Sequence, residues 1–257
     1  MNAGILAPGY APPQMPRPLL GNPQPVPMPY GVAGDPYWNS VVLYLPMTGP
    51  HGSRTFTDVS RFGHAVTANG NAQVSAAQSK FGDASGYLSG SGDFLSFAGG
   101  SSLQFGTASF TIEGWIYPTA SGGGSIFSNT DSWQAGRYNL TCGQPGASRF
   151  LQFYANSVRS ATVVVQSSGA IPLNAWTHFA LVRAGIAFAM FINGTQTGTF
   201  TSAASMSDPS NITLRYGATD GGSQQLFTGH IAHFRITRGV ARYTSSFAPI
   251  TAPFPAF

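Results

Sequence analysis

From Tyr37 onward the chain alternates short apolar runs with clusters of Gly, Ser, Asn and Asp, the pattern of strands joined by turns. FTIEGWIYP, Phe110 to Pro118, sets Phe110, Ile112 and Ile116 on one side and Thr111, Glu113, Trp115 and Tyr117 on the other. AWTHFALVR (Ala175 to Arg183) and AFAMFI (Ala187 to Ile192) follow the same period of two. VVLYL, Val41 to Leu45, is apolar at every position, which predicts a strand covered on both faces. Asn193-Gly194 follows AFAMFI and predicts a tight hairpin, because both residues tolerate positive φ. No useful window keeps helical spacing without glycine or proline interrupting it. The pattern predicts an all-β antiparallel sandwich of two sheets.

The first 36 residues obey different physics. Ten of the nineteen prolines lie between Pro8 and Pro36, where proline fixes φ and removes ladder donors. This predicts an extended, proline-rich N-terminal arm over residues 1–36, followed by a sandwich over 37–249 and a short tail over 250–257. Tyr10, Met15, Leu19, Leu20, Met28 and Tyr30 are apolar anchors that a solvated linker would avoid, so the arm is expected to dock on a partner.

Composition narrows the chemistry. Charged residues make up only 8% of the 257, so hydroxyls and amides must cover most of the surface. The net charge of +4 is spread thinly and permits anionic partners without demanding them. Cys142 is the single cysteine, which excludes an internal disulfide and a cysteine metal cluster. No run reaches the roughly 18 apolar residues of a membrane helix. MNAGILAPGY lacks the basic and apolar regions of a secretion signal, so the sequons at Asn139, Asn193 and Asn211 are read as coincidence.

Several phrases, in order, resemble the laminin-G-like jelly rolls of the concanavalin A-like lectin and glucanase superfamily. They are KFGDASGYLSGSGDFLSF from Lys80, FTIEGWIYP, the loop with Trp133, LNAWTHFALVR from Leu173, FINGTQTGT and GHIAHFRI from Gly229. The closing RITRGVARYTSSFAPITAPF and the opening DPYWNSVVLYLPM resemble the ends of such domains in bacteriophage structural proteins. The resemblance implies a jelly roll whose first and last strands are neighbours. Phe234 and Ile236 then face the core, Arg235 and Thr237 face outward, and Tyr243, Phe247 and the prolines lay the tail back over the sandwich.

Each candidate chemistry has its residues. A glycosidase needs two carboxylates about 5–10 Å apart, one with a raised pKa, and FTIEGWIYP offers Glu113 alone. His230 and His233 are three apart, on opposite faces of a regular strand, which unsuits them to one metal. Asp131 and Asp220 are the calcium ligands the resemblance leaves, against the plainer role of turn aspartates; no other cofactor is implied. Trp133 and Tyr138, with Asn129, Asp131 and Arg137, form the best glycan-binding constellation, and TDGGSQQ from Thr219 adds polar reach. A loop tryptophan folded onto its own sheet is the competing reading. Arg235, Arg238 and Arg242 are local cations without a lysine-rich run or recognition helix, so no specific nucleic acid is expected.

Together these features lead to the expectation of a non-catalytic structural protein on a virion surface. In it, a capsid decoration protein is strapped by its arm to the major capsid protein or another virion subunit, as a monomer or homo-oligomer, and displays a lectin-like domain to host-surface glycans. A phage tail or receptor-binding protein is the alternative, and a polysaccharide-degrading enzyme the third.

Overall fold

The computed structural model describes residues 34–129, 138–143, 149–155, 157–159, 163–206, 212–217 and 225–255. They form an all-β jelly-roll sandwich. Its strands are β1 (Val41–Leu45), β2 (Val66–Asn69), β3 (Gln73–Ser75), β4 (Ser85–Ser89), β5 (Phe94–Gly99), β6 (Phe110–Pro118), β7 (Gly124–Ser128) and β8 (Tyr138–Cys142). They continue with β9 (Phe150–Ala155), β10 (Val163–Ala170), β11 (Thr177–Ala184), β12 (Ala187–Ile192), β13 (Thr195–Thr201), β14 (Ile212–Tyr216) and β15 (Thr228–Arg238).

One sheet runs β13-β12-β11-β6-β15-β4-β3, and the other runs β10-β9-β8-β7-β14-β5-β2. The long last strand organises the first sheet. Along one edge β15 pairs with β6; along the other its first half pairs with β4 and its second half with β1. First and last strands are therefore neighbours, as the resemblance implied. Phe110, Ile112, Phe179, Leu181, Phe234 and Ile236 from this sheet meet Phe127, Tyr138, Leu140, Phe153 and Tyr216 from the other in one continuous core.

A bulge in β15 corrects one expectation. Ala232 pairs with Trp115 and Arg235 with Glu113, so His233 and Phe234 together oppose the single residue Gly114. His233 takes φ of +51°. Gly114 leaves room for this: a Cβ there would stand 3.3 Å from both the His233 carbonyl oxygen and the Phe234 Cα. The extra residue shifts the alternation, and His233 joins Ala232 on the outer face, the face that also carries His230. Strict alternation had placed the two histidines on opposite faces.

The outer face of the first sheet is also covered, where the sequence pattern left Arg235 and Thr237 facing outward. Val41 and Tyr44 pack with Phe254, Trp38 and Ile250. Ala180, Val182 and Phe191 pack with Ala241, Tyr243 and Phe247. The tail is pinned at the Asn193-Gly194 hairpin, where the Phe247 amide donates to the Gly194 carbonyl at 2.8 Å. Gly194 has φ of +77°, and a Cβ on it would strike the Phe247 carbonyl oxygen. The compact unit begins at Gly34, and its described residues run to Pro255. Asp35 and Phe254 are as buried as core residues. The predicted anchors of the arm, Tyr10, Met15, Leu19, Leu20, Met28 and Tyr30, lie outside the described residues.

Candidate functional site

Two of the five residues expected to bind glycan, Tyr138 and Asn129, lie among the described residues, and both are buried. Tyr138 is 1% exposed and packs in the core, edge-on to Phe105 and tilted against Phe127. Asn129 is also buried, and its side-chain oxygen accepts the Tyr138 backbone N–H at 2.7 Å. Neither offers its side chain to a sugar. Tyr138 points inward because it alternates with Asn139 and Thr141 along β8, and the aromatic belongs to the core set. Trp133, Asp131 and Arg137 lie outside the described residues, as does Asp220. The segment with Trp133 leaves β7 at Ser128. The segment with Thr219 springs instead from Gly217, whose amide donates to Ile126, and returns at Gln225, whose carbonyl accepts from Ser125. Among the described residues no group of three or more His, Cys, Asp or Glu is gathered for a metal.

Glu113 sits in a closed ionic seam on the outer face of the first sheet. Arg235 donates to its Oε1 from Nε at 3.0 Å and Nη2 at 2.7 Å, and the Tyr243 hydroxyl donates to Oε2 at 2.8 Å. Arg235 Nη1 reaches Asp35 at 2.9 Å, and Arg242 grips both Asp35 oxygens at 2.9 and 2.6 Å. Phe254 lies across the Arg235 guanidinium at 3.9 Å. Two carboxylates thus meet two guanidinium groups, and the set is neutral. Burial alone would raise the Glu113 carboxyl; Arg235, His178 and Arg242 outweigh it and hold the group well below the usual carboxylate range. A general acid requires the opposite shift. The second carboxylate a hydrolase would need is here, as Asp35, but it is bound to the same arginine. Arg235 and Arg242, two of the three local cations near the chain's end, are consumed by this seam.

Beside the seam, the same outer face presents a partly exposed aromatic row. Gln73 is level with Tyr87, Tyr87 with His230, and His230 with Tyr117 on neighbouring strands. Trp176 stands next to Tyr117, one residue before Thr177 pairs with Ile116. Ring centroids are 5.0 Å apart for Tyr87 and His230, 6.0 Å for His230 and Tyr117, and 5.5 Å for Tyr117 and Trp176. Tyr87, Tyr117 and Trp176 are half-exposed, Gln73 ends the row, and exposed Asn174 adjoins Trp176. The rings are inclined to one another by 41°, 82° and 56°, and such apolar rings bordered by amides suit a ligand that is apolar on its ring faces and polar around its edge, which describes a sugar. The sequence signal was present in part: period-two alternation puts Tyr117 on the face away from the core. Only strand pairing shows that four aromatic rings line up.

His230 fixes the middle of the row through the contact of its Nδ1 with Ser85 Oγ at 2.9 Å, and burial lowers its pKa from 6.5 to about 4. Between those values the unfolded chain binds a proton that the native chain refuses, so stability is full above pH 6.5 and falls as pH drops toward 4. Burial also lowers His233, against the pull of Asp83, and it contributes with the same sign. Thermal melts from about pH 7 to about pH 4.5 are expected to show a falling Tm in the native protein and a shallower fall in His230→Gln. Equal slopes would refute the assignment.

No curated protein matches the chain. Among solved structures, it is similar to domain 4 of AbnA, a GH43 extracellular arabinanase from Geobacillus stearothermophilus, solved in complex with arabinotriose. That match has a TM-score of 0.58 and 17% identity over 79% of this chain and 94% of the other. It is also similar to the binding domain of botulinum neurotoxin serotype C1, with a TM-score of 0.55 and 14% identity over 78% of this chain and 49% of that one. A structure reported for the dependence of botulinum neurotoxin type C cell entry on two ganglioside molecules matches with a TM-score of 0.53 and 15% identity, over 78% and 48%. The chain spans about half the length of these toxin chains, and the likeness at such identities is one of fold. Residues 89–241 match the laminin G-type family described as the concanavalin A-like lectin/glucanases superfamily, and the chain belongs to that family.

Proposed function

We propose that this protein is a non-catalytic glycan-binding jelly roll carried on a virion surface, with the row Tyr87, His230, Tyr117 and Trp176 as its sugar platform. The carrying observation is the contrast on one sheet face: the carboxylates are sealed in an ion-paired seam while Tyr87, Tyr117 and Trp176, ranged about a buried His230, reach solvent. The arabinotriose complex of the AbnA domain and the ganglioside dependence of the toxin support the reading by likeness of fold.

The virion placement draws its support from the two chain ends that resemble phage structural proteins and from the proline-rich arm. A proline-rich strap suits a capsid decoration protein bound to the major capsid protein. A tail receptor-binding protein would use the same platform, and labelling the protein on intact particles separates the two.

The direct test is titration of the full chain with a panel of bacterial surface polysaccharides. The Tyr117→Ala/Trp176→Ala variant is expected to bind at least tenfold more weakly, or about 1.4 kcal/mol, with its circular dichroism unchanged. Equal affinity in both proteins would remove the platform.

A further inference from the structure

We propose that the cleft at the rim beside this row is a carboxylate site, so that the ligand is an acidic polysaccharide; the inference rests on the glycan-platform reading above. The row and the cleft share one end of the sandwich. β6 passes from Tyr117 through Pro118 into the rim, and β15 enters from Thr228, whose carbonyl accepts the Thr119 amide at 3.0 Å. The cleft encloses about 250 Å³ and is lined by Pro118, Gly122, Gly123, Cys142, Arg149 and Phe227, among others. That is below the roughly 300–1,000 Å³ of sites for drug-sized ligands and is the scale of a single sugar unit.

Arg149 is what makes the cleft selective. Its Nε donates to the Ile171 carbonyl at 2.8 Å, and its own carbonyl accepts the Ile171 amide at 2.8 Å, which orients the guanidinium. Its two terminal nitrogens have no hydrogen-bond partner among the described residues. Three more deeply seated arginines are committed elsewhere. Arg235 and Arg242 are closed by Asp35 and Glu113, and Arg183 donates to the carbonyls of Gly185, Gly106 and Ala204. None of the described residues lining the cleft is acidic. Burial pushes the Cys142 thiol up to about 12 although Arg149 pulls it down, so the thiol is neutral and does not compete for the cation. A planar fork whose two terminal nitrogens are unspent among the described residues matches a carboxylate bidentately, and the low dielectric of a cleft strengthens the pair. A uronic acid residue seated here would continue a chain whose neighbouring units lie on Tyr117 and Trp176.

The test titrates the full chain with polygalacturonate and with dextran, and with D-glucuronate while the Arg149 Nε–H resonance is followed by NMR. Wild-type protein should bind polygalacturonate at least tenfold more tightly than dextran, and D-glucuronate should shift the Arg149 resonance. Arg149→Gln should erase the preference with its circular dichroism unchanged, whereas Arg61→Gln, an equal loss of charge at an exposed site, should keep it. An unshifted Arg149 resonance, or a preference that survives Arg149→Gln, overturns the carboxylate site. If the Tyr117→Ala/Trp176→Ala variant still loses binding to both polymers in that case, the platform stands without the acidic specificity. A chain that takes up neither polymer overturns both.

Discussion

Replacing Arg235 by methionine should destabilise the sandwich by about 3–5 kcal/mol, because it strands a buried carboxylate rather than removing a surface charge. Arg242 would still hold Asp35, but Glu113 would keep only the Tyr243 hydroxyl at 2.8 Å, His178 at 3.6 Å and Arg242 Nε at 3.5 Å. All of this lies where the carboxylate has no exposure. The loss should appear as a lower denaturant midpoint with an unchanged slope. Adding Glu113→Gln to Arg235→Met should return part of the stability, since the pair costs desolvation free energy that a neutral isostere avoids. If Arg235→Met loses less than about 1 kcal/mol, the seam behaves as a solvated ion pair and the enclosure argued above is wrong.

Removing residues 240–257 should have a still larger effect. Phe254 alone, 3% exposed, corresponds to about 3–5 kcal/mol when a buried phenylalanine is deleted. The truncation also takes Tyr243 and Phe247 from Phe191 and takes Arg242 and Tyr243 from the seam. These losses fall on a domain whose total stability is expected near 5–15 kcal/mol. The truncated chain should be insoluble or show no cooperative melt, although every strand remains present. A soluble fragment with the Tm of the full chain would mean that the tail decorates the fold and does not complete it. Measuring the melt of Phe254→Ala alongside separates the aromatic lid from the rest of the tail.

What the sequence determined by itself was whatever depends on neighbours along the chain. Alternation in Phe110–Pro118, the apolar run Val41–Leu45 and the Asn193-Gly194 turn identify strands, their inward residues and a hairpin, because the strand period and turn φ preferences are local. The ordered phrases were enough to indicate the jelly roll and the adjacency of its first and last strands. Tertiary structure decided the rest. Asp35 and Glu113 meet Arg235 across 200 and 122 residues, and no local pattern encodes such a meeting. Tyr138 looked like a platform beside Trp133, but a period of two names a face without saying whether that face is core or surface. One bulged residue at His233 inverted the parity that a regular strand would keep. The aromatic row needed β4, β15 and β6 in register and Trp176 at the entry to β11, each residue being ordinary in its own segment. Register between strands is set by the long-range pairing of the whole sheet, and for that reason the site became visible only when the chain was folded.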